Sequence, residues 1–217
     1  MGITIHFKAT IDPVRIPELV AEVKSIATHY GWTYTTVRDG EIDEHVAEPE
    51  PEEEPSPEEQ KNAYHITDPI PLSGIIVRPG EGCEALSLLF DKDGQSSDLI
   101  TWLLVRDGDI RPEEAWTSVK TQFTKLETHV AIAELLKYLK KHFLKTLEVE
   151  DEGQYYDTGD IEQLHRLKAR VGRWIAKLAE GLSKAGEPSE AERLDPEALA
   201  DRIEQIVRDL WERERPS

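Results

Sequence analysis

The sequence predicts an α+β fold: a two-layer domain with helices packed on one face of an antiparallel sheet, followed by a C-terminal helical hairpin. Three patterns carry this prediction. Apolar and polar residues alternate at the start of the chain, strand-like runs follow one another on short connections in the middle, and apolar residues recur at helical spacing toward the end. Short connections between consecutive strands favour antiparallel pairing.

Residues 3 to 11 (ITIHFKATI) set Ile3, Ile5, Phe7, Ala9 and Ile11 against Thr4, His6, Lys8 and Thr10, the period of a half-buried strand. Asp12-Pro13 then offers an N-cap and a first-turn proline. Ile16, Leu19, Val20, Val23, Ile26 and Ala27 follow at helical spacing as far as Gly31, a helix stop. WTYTTV (32 to 37) is a second strand, rich in β-branched and aromatic residues. From about 39 to 71, Glu, Pro and Asp displace the apolar pattern, which predicts a loop insertion with little apolar surface to offset ordering. SGIIV (73 to 77) and EALSLLF (84 to 90) flank a glycine-containing turn, and LITWLLV (99 to 105) and WTSVKTQF (116 to 123) read as further strands.

The helical half starts near Glu127. Ile132, Leu135, Leu136, Leu139 and Phe143 share one face, with Lys137, Lys140 and Lys141 on the other. A longer helix is expected from Ile161 to about Lys184, and a last one after Asp195-Pro196. The expected division is therefore an α+β domain over 1–150, carrying the acidic insertion, and a helical hairpin over 151–217.

Charge and composition narrow the function classes. The formal net charge is -18, but residues 41 to 59 alone hold ten acids and no Lys or Arg. The rest is mildly acidic with no basic face evident, so nucleic acid, which needs Lys and Arg against its phosphates, is not an expected partner. No run approaches the ~18 to 20 apolar residues that span a bilayer, and the first residues enter a strand pattern directly, so neither a membrane nor a secretory route is expected. A single cysteine, Cys83, excludes an internal disulfide and points to a reducing cytoplasm.

The stretch 151–160, DEGQYYDTGD, carries the triplet Asp157-Thr158-Gly159 found in aspartic peptidases. Its flanks oppose that chemistry: Gln154-Tyr155-Tyr156 stands where an apolar strand is needed, and no second triplet occurs. Asp160, with Gln163 three residues on, fits a capping box, so the stretch reads as a helix entrance. The acids lack the alternating spacing of an EF-hand loop, and His129, His142 and His165 show no HExxH or Cys-His spacing; no metal is expected. Walker A, GxGxxG and GxSxG are absent, so no cofactor is expected either. Cys83 lies beside Glu84, and acidic neighbours disfavour a reactive thiolate.

One constellation remains. If Val119, Thr121 and Phe123 face the core, then Ser118, Lys120 and Gln122 share the opposite strand face. Lys120 and Gln122 would line a cleft with His129, Tyr155 and Tyr156; an ordinary exposed sheet face is the simpler alternative. Two functional readings follow. The first is a non-enzymatic interaction or regulatory module, with a protein partner or self-association through the C-terminal helices. The second is a small-molecule enzyme with Lys120 and His129 as acid–base groups.

Overall fold

The structure, a computed structural model, describes residues 2–46, 70–185 and 196–212. It is α+β with antiparallel pairing throughout, and it divides into a compact unit over Gly2–Leu164 and a second that begins at His165. The first unit runs past residue 150 because Tyr155 and Leu164 are buried in its core.

Sheet strands in the first unit form two groups. In one, β1 (Thr4–Lys8) lies between β7 (Thr117–Lys120) and β8 (Glu148–Asp151). In the other the order is β3 (Glu41–Val46), β2 (Thr33–Arg38), β4 (Ser73–Arg78), β5 (Leu86–Phe90) and β6 (Ser96–Ser97). The residues that continue β1 join the two groups. Ser96 donates its backbone N–H to the Ala9 carbonyl and Ile11 donates to the Gly94 carbonyl, each at 2.9 Å. Gly94 has φ +79°, and a Cβ there would lie 1.9 Å from the Ile11 oxygen, so only glycine permits this approach.

The alternation read in β1 places Ile5 and Phe7 in one continuous core. Helix α1 (Ile16–Tyr30) contributes Leu19, Val23 and Ala27, and helix α3 (Leu126–His142) contributes Ile132, Leu136 and Leu139. The expected stop of α1 is present, with Gly31 at φ +68°. Asp12, however, caps a 3-10 turn over Pro13–Arg15 that leads into the helix, its carboxylate accepting from the Val14 N–H at 3.1 Å. Helix α1 itself starts from Arg15 with no side-chain cap.

The remaining differences have identifiable causes. LITWLLV is not a strand but helix α2 (Leu99–Asp107). A short apolar run fits either element by period, and here the caps decide: the Asp98 carboxylate accepts from the Thr101 N–H at 2.8 Å, and Gly108 closes the helix at φ +81°. The insertion expected over 39–71 opens as an ordered hairpin, with β3 paired to β2. Its signal was Asp39-Gly40, both at positive φ (50° and 85°), the turn chemistry that two-residue hairpins require. Residues 47–69 of that insertion lie outside the described residues. The predicted strand 116–123 stops at Lys120, so its alternation fails beyond that point: Phe123 is 62% exposed, whereas Gln122 is buried.

Helices α5 (Ile161–Ala185) and α6 (Pro196–Glu212) occupy the two expected C-terminal spans, and a short helix α4 (Tyr155–Thr158) precedes them. At the α5 entrance, the Asp160 carboxylate accepts from the Gln163 N–H at 2.9 Å. Only half of the capping box forms, because the Gln163 side-chain amide bonds to the Gln154 side-chain oxygen instead. Asp160→Ala should therefore cost about 1 kcal/mol of unfolding free energy, whereas Asp160→Asn should be nearly silent, because Asn caps as well as Asp. Urea denaturation of the two variants checks this, and equal losses would contradict a capping role.

Candidate functional site

The most organised polar constellation is built at three element ends. His129 lies in the first turn of α3, Thr121 follows directly after β7, and Asp151 closes β8. His129 and Thr121 are both 0% exposed, and the Asp151 side chain is fully covered. The imidazole Nδ1 is 2.7 Å from the Thr121 hydroxyl, and Nε2 is 3.2 Å from Oδ2 of Asp151. Backbone N–H groups of Gly153 and Tyr156 donate to the two Asp151 oxygens at 2.7 and 2.9 Å. Tyr155 closes the site with its ring edge-to-face on His129, 6.5 Å between centroids. A Cβ on Gly153 would sit 2.8 Å from the imidazole Cε1, so the chain passes against the ring with no space left.

Burial by itself raises the Asp151 carboxyl, but the His129 hydrogen bond and charge, with the two backbone N–H groups, hold it below the usual carboxylate range. An ionised carboxylate only accepts, so Nε2 carries a proton. The Thr121 hydroxyl then completes the site in either ring state. It donates to Nδ1 of a neutral ring, or accepts from a charged one while turning toward the Ile3 carbonyl, 3.2 Å away. Hydroxyl, imidazole and carboxylate in series are the parts of a nucleophile relay. Here all three are sealed from substrate, and the arrangement serves to pin β7, α3 and β8 together.

The five residues expected to share a cleft fall into two places. His129 and Tyr155 stand together in this buried site, with Tyr156 half-buried beside it; Lys137 lies 5.1 and 5.7 Å from the two tyrosine ring centroids. Lys120 and Gln122 adjoin Gly2 instead, and the Lys120 ammonium lies 5.7 Å from the Phe123 ring centroid. Sequence reasoning missed Thr121 and Asp151 as partners of His129. The usable signal was helical spacing: His129, Ile132, Ala133 and Leu136 fall on one face of α3, which marks a core histidine that must find polar partners. Among the described residues no cluster of three or more His, Cys, Asp or Glu side chains is placed to hold a metal.

A groove of about 710 Å³ opens between α1 and the β2–β3–β4 edge. Ile16, Pro17 and Val20 give it an apolar wall, and Thr36 of β2 lines it from the sheet. Thr36 is 5% exposed, and its hydroxyl has no hydrogen-bond partner. A buried hydroxyl left unpaired costs roughly 1–3 kcal/mol. The rim is charged: Lys24 of α1 pairs with Glu44 of β3, and Arg38 pairs with Asp43 across the β2–β3 hairpin. Neither this groove nor a second of about 650 Å³, beside Lys8, Ser97 and Trp102, includes any of the five expected cleft residues. Comparison with protein families, curated proteins and solved structures finds no match to this chain.

Asp151 ties stability to pH. Because its folded carboxyl titrates below its unfolded value of about 3.9, its contribution is full above that value and is lost as pH falls toward the folded one. Asp151→Asn should cost about 3 kcal/mol at neutral pH by leaving His129 without its charged acceptor. It should also flatten the acid limb of the stability–pH curve below about pH 4. Denaturant melts of both proteins between pH 2 and pH 7 measure this; parallel acid limbs would contradict it.

Proposed function

We propose that the chain is a non-enzymatic interaction module that self-associates through its C-terminal helices. One observation carries the reading: from His165 onward no described side chain is buried, although α5 and α6 bear apolar residues at helical spacing. Leu182, Ile203 and Val207 remain 40%, 40% and 43% exposed. Exposed aliphatic residues at helical spacing are what a second apolar helix face covers.

Charge favours a second copy as that cover. Helix α5 holds six basic residues against two acidic, whereas α6 holds two basic against five acidic. In a twofold dimer each basic helix can face the acidic helix of the other copy. Arg166, Arg170 and Arg173 recur at helical spacing, are exposed, and make no ion pair among the described residues.

The sealed position of His129 supports a module over an acid–base enzyme, because a proton-transfer group must reach its substrate. The chain's single cysteine, Cys83, supports a reducing setting, the cytoplasm. No helix among the described residues is long and apolar enough to cross a membrane.

Light scattering of the full chain should give about twice 24.7 kDa. The double variant Ile203→Glu/Val207→Glu should return it to monomer with the melting of the first unit unchanged, and rising salt should weaken the dimer by screening its charge pairs. A full-length monomer at tens of micromolar would overturn the proposal.

A further inference from the structure

We propose that the groove beneath α1 is a binding site for a small amphipathic amine. The inference rests on three features of the first unit and is independent of self-association. The first is shape and chemistry: a groove of about 710 Å³, walled by Ile16, Pro17 and Val20, falls in the size range of small-molecule sites and offers an apolar surface to a ligand body. The second is Thr36. Its backbone is committed to the ladder, opposite Glu44 on one side and Ile75 on the other, and its side chain lies in the groove 5% exposed with an unpartnered hydroxyl. Tyr34, two residues earlier on the same strand face, satisfies its own hydroxyl on Glu44 at 3.2 Å. The fold therefore supplies acceptors along this face but leaves Thr36 without one, and a polar head entering the groove would provide its partner.

The third feature sets the sign of the charge. The cations of the rim are all neutralised within the protein: Lys24 by Glu44, Arg38 by Asp43, and Lys92 by Asp93 at 2.6 Å. Asp39 and Asp91, on the same rim, make no ion pair among the described residues. One oxygen of each accepts hydrogen bonds, Asp39 from the Ser73 hydroxyl at 3.5 Å and Asp91 from the backbone N–H groups of Asp93 and Gln95. With four carboxylates against three cations in the lining, the rim keeps a net negative charge. Such a rim attracts an ammonium and repels a carboxylate, and an ammonium can donate to the Thr36 oxygen. Each ligand part then has its counterpart: an apolar body against α1, a donor head toward Thr36, and a positive charge under the rim.

Three probes that share one body test this on the full chain by backbone amide NMR: benzylamine, benzyl alcohol and benzoate. Benzylamine should shift the amides of Val20, Thr36 and Glu44 in a saturable way, and benzoate should bind at least ~10-fold more weakly. Thr36→Val, which keeps the shape and removes the unpaired hydroxyl, should melt no lower than the parent and bind benzylamine at least ~5-fold more weakly. Ala21→Phe, at an exposed position on the groove wall, should abolish the shifts with melting unchanged. Equal binding of benzoate and benzylamine, unaltered affinity in Thr36→Val, or shifts that spread away from the groove would each overturn the proposal.

Discussion

The first unit depends on a histidine with nowhere to go but inward. His129 sits on the apolar face of α3 beside Ile132 and Leu136, so folding that helix onto the sheet carries an imidazole into the core. Burying it without partners would cost several kcal/mol. The cost is avoided only if the end of β7 brings Thr121 to one nitrogen and the end of β8 brings Asp151 to the other. Both strands flank β1 in register, so the correct pairing of three strands and the docking of α3 are mutually required. A one-residue slip of β8 would turn the Asp151 side chain to the other face of the sheet and leave the ring unmatched. The tight route of the chain through Gly153 belongs to the same device, since any side chain there would collide with the imidazole and with Leu164.

A second constraint connects this corner to the rest of the unit. β1 is short, but the residues after it continue to hydrogen-bond, now to the Gly94–Ser96 segment. Ser96 reinforces the joint by accepting the Ala9 N–H on its hydroxyl at 2.8 Å. One chain segment thereby belongs to both strand groups, which lets a single core run from Phe7 through α1 to Ile75 and Leu88 without an internal edge. The glycine at 94 is a geometric requirement of that joint.

How much of this could be read from the sequence depended on how local the determining physics was. β1, α1, β2, β4, β5 and the span of α3 follow from period and punctuation, both of which are properties of adjacent residues. Helix α2 was misread because a seven-residue apolar run has no period of its own, while the deciding caps, Asp98 and Gly108, lay just outside it. β3 and β8 are charged and short, and they exist because a partner strand pairs with them: Glu44, for example, is held by Lys24 of α1 and by Tyr34. The site fared the same way. Within α3 the helical register of His129 was visible, but Thr121 and Asp151 reach it from 8 and 22 residues away along the chain. Lys120 and Gln122 were placed by an alternation that ends at the turn after β7, which is why Gln122 turns inward and Phe123 outward.

Two of the buried hydroxyls of this unit, Thr121 and Thr36, invite different conclusions from the same rule. Native structures pair nearly all buried polar groups, so a paired one is informative about folding and an unpaired one about something else. Thr121 has two alternative partners, the ring nitrogen and the Ile3 carbonyl, and is satisfied whichever protonation state His129 adopts. Redundancy of that kind makes a rigid joint that tolerates change in its surroundings, and it leaves no hydrogen-bonding capacity for a visitor. Thr36 has neither partner, although Val at that position would fill nearly the same volume at no polar cost. Keeping the hydroxyl lowers the stability of the isolated fold, and the ligand proposed above would recover that loss by supplying the missing partner. By that argument the interior's best-connected polar cluster is the least suited to chemistry, whereas an unpartnered buried hydroxyl that also lines a groove, as Thr36 does and Thr117 does not in either groove described above, is where the proposed ligand fits.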